Sequence, residues 1–319
     1  MKRFLSIMQS IGLMLLALLV QMVVGIIGGI FFSVISTFRL MSSGFTNPDE
    51  MVTSIMNSLV ETNFIQYITV IALILEVVIF GLWYYKAYNH RSKVDYADAF
   101  SPLNWISLVG CGIGMQFFIM IILGIVLPLF PQQMNEYSEL INQSISGNLV
   151  LSIITTVICA PIAEECLFRG LVLKKLSLTM KFWVANIIQA VLFGILHLNI
   201  IQGIYAFFIG LACGFICQRF RTIWASIITH ASLNLCGVLV GNLVPDSVGD
   251  TWWFALIISF VGVAFCGLCF YHIKRVRVEE TFYPLEPVYP MMYEQMPEQQ
   301  IVNGYFESVT IQNEAKTKA

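Results

Sequence analysis

Charged residues are scarce in this sequence, since Asp, Glu, Lys and Arg account for only 11% of its 319 residues and hydrophobic types for 58%. Soluble domains contain about 25% charged residues, so this composition excludes an ordinary soluble domain and indicates an integral membrane protein. The net charge of −2 says little about partners, and nothing in the sequence suggests nucleic-acid binding, so no nucleic-acid partner is expected. The lipid bilayer is the predicted partner instead, and the cell membrane is the predicted location.

Several cysteine and catalytic patterns are missing as well. The eight cysteines lie in apolar runs without the paired spacing of a zinc site, so we interpret them as small buried hydrophobic residues and not as a disulfide framework. They are Cys111, Cys159, Cys166, Cys213, Cys217, Cys236, Cys266 and Cys269. The His-Glu-x-x-His pattern of many zinc proteases is absent, and no serine or cysteine lies in a nucleophile motif. No cofactor is expected.

The sequence does contain long apolar runs. Windows of about 20 apolar residues are long enough to cross a bilayer as a helix. They occur near residues 10–37, 64–86, 105–130, 149–173, 182–199, 201–219, 222–244 and 251–273. The predicted fold is therefore all-α: a polytopic membrane helix bundle of about eight transmembrane helices.

These spans divide the chain into four parts. Residues 1–148 contain about three membrane helices, 149–244 contain the helices with polar motifs, and 245–278 contain the last membrane helix. Residues 279–319 are rich in Pro, Glu, Gln and Tyr, a composition typical of a flexible tail. A short interfacial helix is predicted near residues 51–60, between the first two spans.

The basic residues predict how the chain crosses the membrane. With an even number of spans both termini lie on one side, and nearly all Lys and Arg residues fall on that side. They are Lys2, Arg3, Lys86, Arg91, Lys93, Lys174, Lys175, Lys181, Arg219, Arg221, Lys274, Arg275 and Arg277. The other side holds the basic residue Arg39 together with Asp49, Glu50, Glu61, Glu136, Glu139, Asp246 and Asp250. Because Lys and Arg are enriched in cytoplasmic loops, both termini are predicted to be cytoplasmic.

Two adjacent carboxylates and an arginine interrupt the apolar run from Leu149 to Leu173: Glu164, Glu165 and Arg169. Ionisable groups in a membrane helix are costly and usually face a polar interior, which makes this a candidate functional site. Glu165 and Arg169 are four residues apart and can pair on one helix face, whereas Glu164 lies about 100° around the helix. Pro161 removes a backbone donor and is expected to kink the helix nearby. The spacing therefore leaves Glu164 unpaired.

Three further polar residues are predicted at a similar depth in the membrane. His197 lies in the fifth predicted span, and His230 and Asn234 share one face of the seventh. The stripe that precedes His197 on its helix consists of Asn186, Gln189 and Phe193. With a rise of 1.5 Å per residue, Glu164 lies roughly 15 Å from the cytoplasmic helix ends, His197 roughly 22 Å, His230 roughly 12 Å and Asn234 roughly 18 Å. This convergence predicts one shared site.

Together these groups have the chemistry to hydrolyse an amide with water. A carboxylate and an imidazole can jointly take a proton from water. An amide N–H and a second imidazole can donate hydrogen bonds to the oxyanion that forms next. Such a reaction needs no covalent intermediate.

The three motifs resemble those of a known family. Glu164-Glu-Cys-Leu-Phe-Arg169 is similar to its Glu-Glu-x-x-x-Arg motif, Phe193-Gly-Ile-Leu-His197 to its Phe-x-x-x-His motif, and His230-Ala-Ser-Leu-Asn234 to its His-x-x-x-Asn motif. This is the CPBP (Abi) family of intramembrane proteases, which includes the type II CAAX prenyl endopeptidases. The resemblance covers about Leu149 to Leu243.

The resemblance implies a glutamate-dependent endopeptidase with an all-helical membrane fold and a peptide or membrane-protein substrate. Carried over by position, Glu164 would be the base that acts on water, assisted by His197. His230 and Asn234 would form the oxyanion site, and the Glu165–Arg169 pair would support it. Bacterial members that resemble this chain are associated with peptide maturation, bacteriocin self-immunity or control of protein secretion.

Two other functions stay open at this point. Glu164, His197 and His230 offer the carboxylate and two imidazoles of a zinc-dependent membrane protease, with one metal position left for water. A non-catalytic transporter or scaffold is the second alternative, favoured by Glu76 in the second span, because buried carboxylates are common in transporters. No inverted repeat or pair of broken helices accompanies Glu76. The oligomeric state also stays open.

Overall fold

Long apolar helices make up most of the described structure. The computed structural model describes residues 1–44, 47–88, 92–94, 96–133, 136–139, 148–243, 252–278 and 280–282. Its helices are α1 (Lys2–Ser42), α2 (Pro48–Glu61), α3 (Phe64–Ala87), α4 (Tyr96–Ala99), α5 (Pro102–Val126), α6 (Leu149–Ser177), α7 (Phe182–Leu196), α8 (Ile200–Phe220), α9 (Ile223–Leu243) and α10 (Trp252–Ile273). A 3₁₀ turn, Leu127–Leu129, follows α5, and two short strands, β1 (Ser92–Val94) and β2 (Glu280–Phe282), pair with each other.

The predicted polytopic all-α membrane bundle is confirmed. Seven of the described helices are long and apolar enough to cross a membrane, and α7 is a shorter apolar helix. α1 begins at Lys2 and has 41 residues, so it is longer than the run predicted near 10–37. α7 has 15 residues and ends at Leu196, which corresponds to about 22 Å of helix.

One of the described segments between the spans agrees with its prediction. The predicted interfacial helix is α2, and Asp49 and Glu50 in its first turn stabilise its N-terminus electrostatically. The β1–β2 pair has no counterpart among the predicted elements. Most of the predicted tail, 279 and 283–319, lies outside the described residues. The same is true of three residues used to predict the topology: Arg91, Asp246 and Asp250.

The hydrogen-bonding pattern of α6 changes along its length. Asn148 caps its first turn and accepts two backbone N–H bonds through its side chain. Ile153–Cys159 and Cys166–Leu173 form wider π-helical turns, and Ala160–Glu165 between them is α-helical. Such turns occur frequently at functional sites, and here they lie on both sides of the adjacent carboxylates.

α7 and α8 form a tight antiparallel hairpin. Leu198 in the turn has a φ of 53°, a left-handed conformation that is unfavourable for a leucine. Asn199 then caps the first turn of α8 with its side chain. Near the turn the two backbones touch, because a Cβ on Gly194 would lie only 2.7 Å from the carbonyl oxygen of Gly203. Small residues permit this close approach of membrane helices.

The most completely buried part of the core surrounds the second half of α6. Phe168, Val172 and Leu176 of α6 have no exposed surface, and neither do Ile216 and Phe220 of α8. Within a bilayer, helices associate mainly through such close packing. This packed region lies on one side of the polar groups of α6.

Candidate active site

A cavity of about 870 Å³ lies inside the bundle. Glu164 of α6, His197 at the end of α7, and His230 and Asn234 of α9 all line it. The structure thus brings together, from three different helices, the four residues that the sequence motifs single out. Their proximity gives the cavity a carboxylate, two imidazoles and an amide.

Glu165 and Arg169 form an ion pair inside the bundle. Both side chains are 0% exposed, and Nη1 of Arg169 lies 2.9 Å from Oε1 of Glu165, so the pairing predicted from their spacing is present. The guanidinium also lies 4.7 Å from the ring centroid of Phe193 and donates a hydrogen bond to the carbonyl oxygen of Gly210 at 3.4 Å. These partners offset part of the cost of burying two charges. The pair joins α6 to both helices of the hairpin.

His230 lies between the two adjacent carboxylates. Its Nδ1 is 2.9 Å from Oε1 of Glu165, and its Nε2 is 3.7 Å from Oε2 of Glu164. Glu165 therefore accepts a hydrogen bond from Nδ1–H, in addition to its contact with Arg169. The side chain of Glu164 is 18% exposed and faces the cavity. The two carboxylates consequently have very different surroundings.

The ring of His197 is oriented by the backbone of its own helix. Its Nδ1 lies 2.9 Å from the carbonyl oxygen of Phe193. A carbonyl oxygen can only accept, so Nδ1 carries the proton and Nε2 is left as an acceptor. The ring also stands edge-on to the Phe193 ring, with centroids 5.0 Å apart. Such a fixed tautomer suits a group that accepts a hydrogen bond from water.

Asn234 fills a gap in the backbone hydrogen bonding of α6. Its Nδ2 donates to the carbonyl oxygen of Thr156 at 2.7 Å. In this π turn the N–H of Ala160 bonds to the carbonyl of Thr155, five residues earlier. The next residue, Pro161, has no N–H for the carbonyl of Thr156. The asparagine side chain from α9 supplies the missing donor.

The polar stripe on α7 holds the hairpin together. Asn186 and Gln189 have no exposed surface. Nδ2 of Asn186 donates to the carbonyl of Leu211 at 3.0 Å, and Nε2 of Gln189 donates to the carbonyl of Gly210 at 2.8 Å. Gly214 leaves room for these groups, because a Cβ there would collide with Oδ1 of Asn186. The stripe therefore positions the helix that ends at His197.

Polar residues outside the motifs also line the cavity, and the sequence did not single them out for the site. They are Gln21 of α1, Thr69 of α3, Gln116 of α5, Tyr137, Thr155 and Thr156 of α6, and Gln202 and Tyr205 of α8. The only sign of these residues in the sequence is a glutamine isolated in an apolar run, as at Gln21 and Gln116. Their spacing does not connect them to the motifs. Glu76 of α3 is 3% exposed and is hydrogen-bonded to Gln21, so it has a partner on the cavity wall.

The described side chains do not form a metal centre. Among them, no three His, Cys, Asp or Glu side chains are grouped so that they could hold a metal ion. Glu164, His197 and His230 line one cavity without forming such a group. Metal independence of the site stays a prediction.

The fold and the site define a multi-pass membrane protein with a buried carboxylate–imidazole centre. Residues 146–236 match the family model of the type II CAAX prenyl endopeptidases, Rce1-like. The match confirms, for this part of the chain, the resemblance to the CPBP family that the three motifs predict. The match begins before α6 and ends within α9, so it contains all the motif residues.

A curated relative agrees with the family match. The Bacillus subtilis (strain 168) protein named "Putative membrane peptidase YdiL" is 31% identical over 90 residues, which cover 28% of this chain and 37% of that protein. The similarity thus spans little more than a third of that relative's length. No solved structure matches the chain. Family and relative both point to a membrane protease.

Proposed function

We propose that the cavity is the active site of an intramembrane glutamic endopeptidase, which hydrolyses peptide or membrane-protein substrates with an activated water molecule. The observation that carries this proposal is the contrast between two adjacent carboxylates. Glu165 is fully buried with Arg169 and His230 as partners, whereas Glu164 faces the cavity. A general base must be reachable by water, and Glu164 is the carboxylate that meets this requirement.

In the proposed reaction, Glu164 takes a proton from water while the water oxygen attacks the carbonyl carbon of the peptide bond. His197 accepts a hydrogen bond from the same water through Nε2, because its Nδ1–H is held by the backbone. The attack forms a tetrahedral oxyanion. The proton on Glu164 then passes to the leaving nitrogen, the C–N bond breaks, and a carboxylic acid and an amine are released.

His230 and Asn234 are the proposed donors to the oxyanion. Because Nδ1 of His230 donates to Glu165, donation from Nε2 requires both ring nitrogens to be protonated. The Asn234 amide has two N–H bonds, of which one goes to the carbonyl of Thr156 and the other is left for the oxyanion. A well-placed donor of this kind lowers the barrier by about 3–4 kcal/mol.

The proposed reaction involves no metal or organic cofactor. Peptide maturation and bacteriocin self-immunity are biological roles that such an activity would serve. We propose that the protein lies in the cell membrane with both termini in the cytoplasm, because the Lys and Arg residues of the sequence fall mainly on the side of the predicted spans that holds the N-terminus.

The proposal is tested by comparing proteolysis in membranes that contain wild-type protein, Glu164→Gln or His197→Ala at matched expression. Peptides extracted from the host serve as substrates, and mass spectrometry detects their products. We expect both variants to cleave at least about 100-fold more slowly, as is typical when acid–base groups are lost. Glu139→Gln is the matched control, because Glu139 is an exposed carboxylate outside the cavity lining.

Normal cleavage by both variants would exclude the assigned roles. A phenotype of the intact gene that survives in both variants, without any detectable cleavage, would favour the non-catalytic scaffold.

A further inference from the structure

Side-chain contacts establish the direction of the helices around the cavity. Gln66 contacts Ser152 near the start of α3 and α6, and Tyr84 packs on Gly170 near the end of both, so these helices are parallel. The side chain of Arg3, at the start of α1, donates to the carbonyl of Thr179, just after α6 ends. α1 therefore begins at the end of the bundle where α3 and α6 finish.

The same reasoning applies to α9 and α5. His230, in the first half of α9, contacts Glu165, while Asn234, one turn later, contacts Thr156, which lies earlier in α6. α9 is therefore antiparallel to α6 and begins where α6 ends. Gln116 packs beside Gly237, and Gly112 packs against the earlier turn of α9 at Thr229, so α5 is parallel to α9.

We call the end of the bundle where α1, α5 and α9 begin the basic end. Most Lys and Arg residues that the structure describes lie at or near this end, including Lys2 and Arg3 at the start of α1 and Lys174 and Lys175 near the end of α6. The other end, where α3 and α6 begin, is called the acidic end. Its described connections carry exposed Asp49, Glu50, Glu136 and Glu139.

The cavity lies in the half of the bundle towards the acidic end. Its lining residues come from the first half of α3 (Phe64 to Leu73), the last part of α5 (Gln116 to Leu123), and α9 from His230 to Gly241. It also reaches Leu59 of α2 and Tyr137, which lie in the connections at the acidic end. From the level of Glu164, the cavity thus extends towards this end.

Towards the basic end, the described side chains of α6 are closely packed inside the bundle. Glu165 and Arg169 follow Glu164 along α6 in the direction of the basic end, and their side chains have no exposed surface. Phe168, Val172 and Leu176 of α6 continue this packed region to the end of the helix, again with no exposed surface. A peptide has no route to Glu164 through side chains packed in this way.

We propose that the substrate reaches Glu164 from the acidic end, which is the extracytoplasmic face when the basic end is cytoplasmic. The substrate class is accordingly a peptide segment that has been exported, or a membrane-protein segment exposed in the outer half of the bilayer. A cytoplasmic peptide would meet the closely packed side chains of α6. This inference rests on the proposed function for its substrate, but the side from which the cavity opens is measured independently of proteolysis.

The test uses two single cysteine substitutions on α6 in the full-length protein. Thr155→Cys lines the cavity, and Ser177→Cys lies exposed at the basic end of the same helix. Ser177→Cys replaces a hydroxyl by a thiol, and Thr155→Cys does the same and also removes one methyl group. A charged, membrane-impermeant thiol reagent is added to intact spheroplasts or to inside-out vesicles, and labelling of wild-type protein is subtracted as the background of the eight native cysteines.

We expect Thr155→Cys to be labelled in spheroplasts at least about ten-fold faster than in inside-out vesicles, and Ser177→Cys to show the reverse. Labelling of Thr155→Cys from the cytoplasmic side, or from neither side, would overturn the proposed entry route. The Glu164→Gln cleavage experiment decides the catalytic role separately. Loss of labelling with intact proteolysis would therefore reject the route alone, and labelling without proteolysis would reject the proposed function alone.

Discussion

The side-chain amide of Asn234 donates its hydrogen bond to the carbonyl of Thr156, which is the carbonyl that Pro161 leaves without a backbone donor. The last residue of the His-x-x-x-Asn motif is thus connected to the broken hydrogen-bonding pattern just before the Glu-Glu-x-x-x-Arg motif. Asn234 has a structural contact in addition to its proposed role at the oxyanion. A loss of activity in an Asn234 variant consequently has two possible origins, which a stability measurement separates.

Asn234→Ala is expected to lower the free energy of unfolding by about 1–3 kcal/mol, because the carbonyl of Thr156 is left without a donor. In a Pro161→Ala background the loss should be smaller, since residue 161 then has an N–H of its own. Thermal unfolding of the four proteins of this double-mutant cycle measures the difference. Asn242→Ala is the control, because Asn242 is exposed and its amide donates to a carbonyl of its own helix. Equal losses in both backgrounds would contradict the pairing.

Arg169→Ala is expected to reduce yield and to destabilise the protein by about 3–5 kcal/mol, because Glu165 would remain buried without its main partner. The double variant E165Q/R169M removes both charges and should be more stable than Arg169→Ala. Unfolding temperature in detergent is the readout. Arg221→Ala, at an exposed arginine, should change the free energy of unfolding by no more than about 0.5 kcal/mol. A normal yield and melting temperature for Arg169→Ala would argue against the ion pair.

Gly214→Ala is expected to destabilise the α7–α8 hairpin by about 1–3 kcal/mol, because the new methyl group collides with Asn186 and forces a backbone shift. The rate of cleavage should fall as well, since α7 carries His197. Asn186→Ala in the same chain should recover part of the stability by making room. Gly267→Ala is the matched control, because a Cβ at Gly267 meets no atom within 4 Å. A loss in the double variant equal to the sum of the single losses would count against this contact.

Chelation is expected to leave proteolysis unchanged in the purified protein. Glu164 acts on water directly in the proposed reaction, so removal of metal ions should not alter the rate. The measurement compares cleavage before and after treatment with a strong zinc chelator, with a known zinc protease as the positive control. Inactivation that added zinc reverses would instead support a zinc site formed by Glu164, His197 and His230.

The bundle could be predicted from the sequence because the thickness of the bilayer determines how long an apolar helix must be. α3, α6 and α8 accordingly begin and end within a few residues of the predicted spans. The Glu165–Arg169 pair was also accessible, because residues four apart lie on one face of a helix. Both inferences use distances measured along a single helix.

Contacts between helices could not be obtained in the same way. The hydrogen bond from His230 to Glu165 depends on how α9 is rotated and shifted against α6, and no local spacing encodes that relation. The π turns of α6 were also unforeseen, because Pro161 indicates a disturbance without indicating its form. The rise per residue was enough to predict that the four motif residues lie at a similar depth in the membrane. The close packing of the second half of α6 became apparent only from the buried surface of its side chains.

Because α6 alternates between π-helical and α-helical turns, its length can change without changing the direction of the later side chains. In a uniform α-helix, one inserted residue turns every later side chain by about 100°. A wide turn can take up one residue more or fewer by exchanging five-residue for four-residue hydrogen bonds. Insertions and deletions within Ile153–Cys159 should therefore be tolerated better in related chains than changes inside Ala160–Glu165. The direction in which the Glu164 side chain points can therefore be adjusted by changes in the preceding π turn. Changes within the six α-helical residues Ala160–Glu165 would alter it directly.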